Sequence, residues 1–198
     1  MNITDICNLA LSYLGKGTID SIDDQSENGR TCKVHYDLCR QMLLRDFTWG
    51  FSERVVKLAE LSEQTVPGWD HVYAYPINCL AIRRVFAEDE AAQKYDYRNK
   101  FMVQIINPDV KVICTNVEAA YADYTYNTVD SGLFTPEFCV SLAHLLASSM
   151  APALTGSENK VQIEMQQSQY YASKAKLAAA KEIERKPQYP DKYFTGRY

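Results

Sequence analysis

Several short motifs that mark ligand-binding proteins are missing from the sequence. It contains neither G-x-G-x-x-G nor G-x-x-x-x-G-K-[ST], so the glycine loops that hold nucleotide phosphates are absent. No C-x-x-C pair occurs, which leaves out the usual spacings of zinc ribbons and thiol-redox centres. Histidine is also scarce, with three residues scattered through 198. Nucleotide-dependent enzymes and zinc-ribbon proteins are therefore not indicated.

Long hydrophobic runs are missing as well. No stretch approaches the roughly 18 consecutive apolar residues that a membrane-spanning helix needs, so we expect no membrane contact. Residues 1–5 do not begin a basic segment followed by an apolar run, and a cleaved signal peptide is not expected. With 23% charged and 46% hydrophobic residues, the chain is typical of a globular protein that is large enough for one hydrophobic core.

Six cysteines are present, but their placement does not favour disulfides. They are separated by 7 to 40 residues, and each has apolar neighbours, where a free thiol behaves as a small hydrophobic side chain. We interpret all six as free thiols of a protein that folds in a reducing, cytoplasmic environment. These residues are Cys7, Cys32, Cys39, Cys79, Cys114 and Cys139.

Helical patterns are confined to the two ends of the chain. Thr4 is the predicted N-cap of a first helix that Gly15 ends, and Ser26 caps a second helix. A third helix begins at Thr135-Pro136, a capping residue followed by proline at the first helical position. The predicted spans are residues 4–14, 26–46, 135–150 and 157–186, and Pro187 stops the last one. That last helix would be about 44 Å long, more than one core can cover, so we expect one end to project or to meet another chain.

Apolar stripes at helical spacing predict which side of the first two helices is buried. In the first helix the stripe consists of Ile6, Leu9, Ala10 and Leu14. In the second it consists of Cys32, Tyr36, Cys39 and Leu43. Both helices are therefore expected to pack one side against a common core.

The middle of the chain, residues 51–133, has the signals of β-strands. Phe101–Ile106 and Val110–Cys114 are apolar runs on either side of Asn107-Pro108-Asp109, which is typical of a hairpin. Pro76 interrupts another extended run and places it at a sheet edge or a bulge. We predict an α+β fold with three parts. These are a helical bundle over residues 1–50 and 134–186, an inserted small antiparallel β-sheet region over residues 51–133, and an extended C-terminal tail over residues 187–198.

The C-terminal part differs in charge from the rest of the chain. Residues 174–198 contain seven basic and three acidic residues, a net charge of +4, whereas the other 173 residues contain 14 basic and 22 acidic residues, a net charge of −8. Four aromatic residues occur among the last ten. Because aromatic and basic side chains are favoured interface anchors, we interpret this segment as a docking arm rather than as a frayed terminus.

Two groups of residues invite a metal-binding interpretation. The first, which matches the opening of a calcium loop, comprises Asp24, Ser26, Asn28 and Gly29. His35 stands at its twelfth position, where a bidentate glutamate is needed, so we assign the group to a loop and an N-cap. The second comprises Cys32, His35 and Cys39, which could share one side of a helix. Structural zinc needs four ligands, and nothing in the sequence places His71 or His144 beside them. We therefore predict core packing, no metal and no cofactor.

Catalytic residues are not indicated either. Ser141 and His144 are close in sequence, but no G-x-S-x-G elbow precedes the serine and no carboxylate partner is evident. Glu88-Asp89-Glu90 is a carboxylate cluster between predicted strands, which we interpret as a solvated turn rather than as a metal site. We therefore predict no catalytic residues and a protein that is not an enzyme.

The order of several segments resembles one protein family. ALSYLG at residues 10–15 is followed by IDSIDDQS at residues 19–26 and LLRDFTWGF at residues 43–51. WDHVYAYPINCL at residues 69–80 is similar to that family's W-x-Y-x-Y-x-x-P-x-x-C/Y-L stretch. Residues 8–82 thus resemble the head-to-tail adaptor proteins of tailed bacteriophages, and above all the tail tubular protein A group of short-tailed phages. Two departures from the family pattern are Pro76, directly after Tyr75, and Gly29 inside the second helix.

The resemblance implies a structural role in the virion neck. Such adaptors form a homo-oligomeric ring, expected to be dodecameric, between the portal protein above and the tail nozzle or tube protein below. Their helical bundle packs around the ring, the β-rich part is directed towards the tail, and the C-terminal segment reaches the portal. The portal-binding residues implied here are Tyr189, Tyr193, Phe194, Arg197 and Tyr198.

The same resemblance implies that double-stranded DNA passes through the ring without specific binding, and that the virion is assembled in the host cytoplasm. The acidic body fits this role, because a lining of like charge keeps a polyanion from sticking. Two other functions remain open. One is a DNA-binding module that uses the basic helix and tail, with Lys174, Lys176, Lys181, Arg185 and Lys186. The other is a tail-associated hydrolase, which no constellation of residues supports.

Overall fold

The computed structural model describes residues 1–90, 99–106 and 108–182. It has the predicted α+β fold, in which two α-helices are followed by six strands and then by two more α-helices. The helices are α1 (Ile3–Leu14), α2 (Glu27–Asp46), α3 (Pro136–Thr155) and α4 (Glu158–Lys181). The strands are β1 (Glu53–Lys57), β2 (His71–Ala74), β3 (Cys79–Phe86), β4 (Phe101–Ile106), β5 (Val110–Thr115) and β6 (Tyr121–Tyr126).

The first helix begins two residues earlier than predicted, because Asn2 rather than Thr4 is its N-cap. The Asn2 Oδ1 atom accepts the Asp5 backbone N–H at 2.8 Å, and the Asp5 carboxylate accepts the Asn2 N–H at 2.9 Å. This reciprocal pair is a capping box, which satisfies two backbone donors at once. The predicted end at Gly15 is confirmed, since its φ of 69° is a left-handed conformation that suits glycine.

The second helix has the predicted N-cap, Ser26, whose hydroxyl accepts the Gly29 N–H at 3.2 Å. The Asp24 carboxylate accepts the Ser26 N–H at 2.8 Å, and this hydrogen bond holds the pKa of Asp24 below its usual value. Gly29 itself lies so close to Asp24 that a Cβ atom would overlap with the Asp24 carbonyl oxygen. The glycine in this helix is thus explained by close backbone approach.

The third helix continues five residues beyond its predicted end at Met150. It runs through Pro152 to Thr155, because Ala151 and Leu154 are buried and their packing outweighs the hydrogen bond that the proline removes. The fourth helix ends earlier than predicted, at Lys181 instead of Lys186, with Glu182 as its C-cap. It is therefore about 36 Å long rather than 44 Å.

Helix α3 is the centre of the bundle. Its buried side chains, among them Phe138, Leu142, Leu146 and Met150, contribute to a core shared with α1, α2 and α4. By length and hydropathy alone α3 could cross a membrane, and 72% of that stretch is buried inside the bundle. A helix that is apolar all round is expected where other helices surround it.

The described strands form two three-stranded antiparallel sheets, which confirms the predicted antiparallel β-sheet region. Their orders are β1-β6-β3 and β2-β5-β4. Val85 and Ala122 of the first sheet pack with Tyr73 and Ile113 of the second, so the two sheets share one apolar layer. The division into two sheets was not part of the prediction, because periodicity identifies strands but carries no information on which strands pair.

Two local predictions in this region are confirmed. Strands β4 and β5 form the expected antiparallel hairpin, with Ile106 opposite Val110. Strand β2 lies at a sheet edge and ends two residues before Pro76, which therefore removes no ladder hydrogen bond.

Arginine 83 joins the strands to the bundle. Its Nη2 atom donates to the carbonyl oxygens of Arg45 and Phe47 at 2.8 and 3.0 Å, at the C-terminal end of α2. Its Nε atom donates to Thr125 Oγ1 on β6 at 2.8 Å. A cation at a helix C-terminus satisfies carbonyls that have no partner within the helix. This contact fixes the direction in which the strand region leaves the bundle.

Candidate interaction surfaces

Helix α4 has several large apolar side chains on its outer side, although Val161 packs against the core. The residues it buries are Glu164, Ser168, Ala172 and Ala175, none of which is a large apolar residue. Ile163, Tyr170 and Leu177 are 53%, 52% and 65% exposed. Because they recur every seven residues, about two helical turns, they form one line on the side away from the core. We call this line the α4 face.

Positive charge runs along the α4 face. Lys174 and Lys181 are both exposed, and Lys174 Nζ lies 4.4 Å from the centroid of the Tyr170 ring. Lys176 points elsewhere, and its Nζ atom lies 2.5 Å from Asp46 Oδ2 at the end of α2. The lysines considered for DNA binding are thus divided between two sides of the helix, while Arg185 and Lys186 lie outside the described residues.

A second exposed surface lies on the connection between β6 and α3. Val129 and Leu133 are 62% and 50% exposed, and Asp130 lies between them. Asp37 of α2 and Glu137 of α3 flank this connection, and they add two more carboxylates to it. We call these five residues the loop surface. It combines apolar side chains with negative charge.

Arg40 holds the loop surface against α2. It is only 2% exposed, and its Nη1 atom donates to Asn127 Oδ1 at 2.8 Å and to the Thr128 carbonyl oxygen at 2.5 Å. Its Nη2 atom donates to Asp37 Oδ1 at 3.0 Å. Sequence reasoning missed this role, because nothing in the local pattern marks an arginine in mid-helix as buried.

Helix α2 also exposes apolar side chains. Val34, Leu38 and Met42 are 72%, 60% and 54% exposed and follow one another at intervals of four residues. The predicted stripe on the other side of α2 is confirmed as buried, and consists of Cys32, Tyr36, Cys39 and Leu43. Outward apolar groups therefore occur on both α2 and α4.

The α4 face and the loop surface lie on different sides of α3. Ser148 of α3 donates to the Val161 carbonyl oxygen of α4 at 3.0 Å, whereas Met150 contacts Cys32 of α2 at 3.6 Å between sulfur atoms. Residues two apart on a helix point about 200° away from each other. Since Arg40 ties the loop surface to α2, a single copy presents the two surfaces in different directions.

The predicted portal-binding residues lie outside the described part of the chain. They are Tyr189, Tyr193, Phe194, Arg197 and Tyr198, and the structure describes the chain only as far as Glu182. The structure shows where the described part of the chain ends before this segment. That point is the C-terminal end of α4, about one and a half turns beyond the contact between Lys176 and Asp46.

Serine 141 and His144, considered above as a catalytic pair, are not joined to each other. The Ser141 hydroxyl donates to the Ser168 carbonyl oxygen at 2.9 Å, while His144 Nδ1 lies 2.6 Å from Glu164 Oε2. The expectation that His144 has no carboxylate partner was therefore wrong. Glu164 could have been found from the spacing of Glu164, Ser168, Ala172 and Ala175, which marks the packed side of α4.

The His144 ring is enclosed by aromatic rings. It stacks on Tyr13 of α1 at 4.0 Å between ring centroids and on Tyr171 of α4 at 5.4 Å. Burial raises the pKa of the Tyr13 hydroxyl, and the nearby Tyr171 and Glu164 add to this effect. His144 of α3 therefore contacts both neighbouring helices inside the bundle, Tyr13 of α1 through its ring and Glu164 of α4 through a hydrogen bond.

The residues weighed as metal ligands have other contacts. Cys32 and Cys39 are buried against Met150 and Ser149 of α3, as predicted for core packing. Glu88 and Asp89 are exposed, as predicted for a solvated turn. Among the described residues, no three His, Cys, Asp or Glu side chains are close enough together to hold a metal ion.

The six cysteines are free, and all except the half-buried Cys79 are buried. A hydrogen bond with Cys32, together with burial, raises the pKa of Cys7. Burial raises the pKa of Cys39, Cys79, Cys114 and Cys139. Thiols that stay protonated are poor nucleophiles and poor metal ligands.

Neither a protein-family model nor a curated protein matches the sequence. The resemblance to phage adaptors therefore rests on the segments quoted above. Function has to be argued from the exposed surfaces, the charge distribution and the buried polar contacts of this chain.

Proposed function

We propose that the protein is a non-enzymatic adaptor of a bacteriophage virion neck. It assembles as a ring, joins the portal protein to the tail nozzle or tube protein, and forms part of the channel through which double-stranded DNA leaves the head. The observation that carries the proposal is the outward placement of Ile163, Tyr170 and Leu177 on α4. A row of large apolar side chains on the exposed side of a helix is what a protein that works through contacts with other chains would present.

The charge distribution supports a channel rather than a DNA-binding site. Outside residues 174–198 the net charge is −8, so the body of the protein repels a DNA backbone. Within the described residues, the candidate nucleophile Ser141 is engaged with Ser168 in the core. Both observations favour an assembly role over catalysis.

The C-terminal segment is the proposed contact with the portal. We expect that deleting residues 186–198 abolishes attachment to the portal protein of the same phage, because the aromatic and basic anchors are lost. The fold should survive, since no described core residue lies beyond Ala179. Co-sedimentation with purified portal rings measures attachment, and thermal unfolding measures the fold.

A matched pair of variants separates anchoring from segment length. Replacing Tyr189, Tyr193, Phe194 and Tyr198 with serine keeps the length and should also abolish attachment. Replacing Gln188 and Asp191 with serine should leave attachment unchanged. Normal attachment of the deleted chain would contradict the proposed arm.

The DNA-binding alternative is tested with the same proteins. Binding of short duplex DNA with steep salt dependence would favour it. The ion pair between Lys176 and Asp46 speaks against it, because it removes one lysine from the proposed basic surface.

A further inference from the structure

We propose that the α4 face of one copy docks against the loop surface of a second copy, so that copies of the chain join head to tail. The inference rests on the proposed function, since successive contacts of this kind are what would close the neck ring. The position and the charge of the two surfaces support this contact.

The two surfaces are different and point in different directions. A contact between two unlike surfaces is heterologous, so each copy uses one surface for the copy before it and the other for the copy after it. Such contacts continue from copy to copy until the rotation closes. A contact between two α4 faces would instead stop at a dimer.

The surfaces also lie at the same height along the bundle. Ser148, His144 and Ser141 of α3 contact Val161, Glu164 and Ser168 of α4, so a step towards the N-terminus of α3 matches an equal step towards the C-terminus of α4. Continued by the same pairing, Lys174 is level with Thr135, the N-cap of α3, and Leu177 lies about one turn further along α4, beyond the start of α3. The second half of the α4 face is thus level with the connection that carries Val129 and Leu133.

Equal height matters because of how ring neighbours are related. In a ring of twelve, each copy is turned by about 30° relative to the next, so helices keep nearly the same direction and the same height. With the bundle aligned along the ring axis, as this proposal requires, the α4 face of one copy stands opposite the loop surface of its neighbour without any shift along that axis.

The charges of the two surfaces are complementary. The α4 face carries Lys174 and Lys181, whereas the loop surface carries Asp130 and Glu137, together with Asp37, whose charge Arg40 balances. Both have an apolar centre, formed by Tyr170 and Leu177 on one side and by Val129 and Leu133 on the other. Opposite charge around matched apolar groups favours this pairing and disfavours contact of either surface with its own kind.

The proposal is tested by sedimentation of the full chain. The concentrations extend to about 1 mM, where even weak specific contacts form. The wild-type chain should self-associate beyond a dimer. Leu177→Glu and Leu133→Lys should each weaken association about tenfold or more, since each places a like charge opposite its partner surface. The double variant Leu133→Lys/Leu177→Glu should regain association, because the two introduced charges attract across the contact.

Ile77→Glu is the matched control, since Ile77 is 86% exposed and belongs to neither surface. It should associate as the wild-type chain does, and circular dichroism should show the same fold for every variant. A wild-type chain that stays monomeric would overturn the proposal. So would a Leu133→Lys variant that associates normally, a double variant without recovery, or an equal loss with Ile77→Glu.

Portal attachment, measured separately, keeps the two proposals distinct. Normal self-association without attachment to the portal would overturn the role of the C-terminal arm and leave this contact standing. Attachment to the portal by a wild-type chain that never self-associates would overturn this contact and leave the arm standing.

Discussion

Helices α3 and α4 are neighbours that use their apolar residues in opposite ways. In α3, 13 of 20 residues are buried, including every phenylalanine and leucine of the helix. In α4, 4 of 24 residues are buried, while isoleucine, tyrosine and leucine face outwards. The difference shows that a helix can be long and well formed while it buries few of its residues and leaves large apolar side chains exposed.

The largest expected loss of stability comes from a substitution in the buried helix, α3. Leu146 of α3 is fully buried, so Leu146→Ala removes packed atoms and leaves a cavity. We expect the free energy of unfolding to fall by about 2–5 kcal/mol. Urea denaturation measures it, and a loss below about 1 kcal/mol would mean that the core around α3 is not packed as described.

An intermediate effect is expected where the two helices share a polar contact. Glu164→Ala removes the partner of the buried His144 Nδ1 atom, and we expect a loss of about 1–3 kcal/mol. Glu164→Gln retains an acceptor oxygen and should lose less. Equal stability of the alanine and glutamine variants would show that the hydrogen bond contributes nothing.

The smallest effect is expected on the exposed side. Leu177→Ala removes the same atoms as Leu146→Ala, but from a side chain that is 65% exposed. Its free energy of unfolding should stay within about 0.5 kcal/mol of the wild-type value, because surface substitutions rarely cost more. The same urea titration applies, and a large loss would place Leu177 in the core rather than on a docking surface.

Local signals in the sequence predicted much of the fold. Caps such as Ser26 and Gly15, the buried stripe of α2, and the β4–β5 hairpin depend on neighbouring residues, and all were found as predicted. The pairing of strands into two sheets could not be predicted, because it depends on residues far apart in sequence. The same is true of the contact between His144 and Glu164.

The exposed surfaces were harder to predict than the core. The predicted length of the last helix was too great, since α4 ends at Lys181, and the expectation that one of its ends meets another chain stays a prediction. An amphipathic helix usually buries its large apolar residues. In α4 the packed side has mainly small residues, and several large apolar residues are exposed. The loop surface depends on Arg40, whose burial no local pattern reveals.

Gly156 and Ser157 alone separate α3 from α4, so the chain reverses direction there and α4 returns to the end of the bundle where α2 leads into β1. Residues 183–198 therefore set out from beside the strands. Stretched fully, sixteen residues reach about 55 Å, while α3 is about 30 Å long. In the proposed arrangement, with the portal at the other end of the bundle, this segment would have to cover about 30 Å along the helices, which is more than half of its full length. Tyr189, seven residues beyond Glu182, reaches at most about 24 Å, so in that arrangement the aromatic residues nearer the C-terminus would have to make the first contact with the portal.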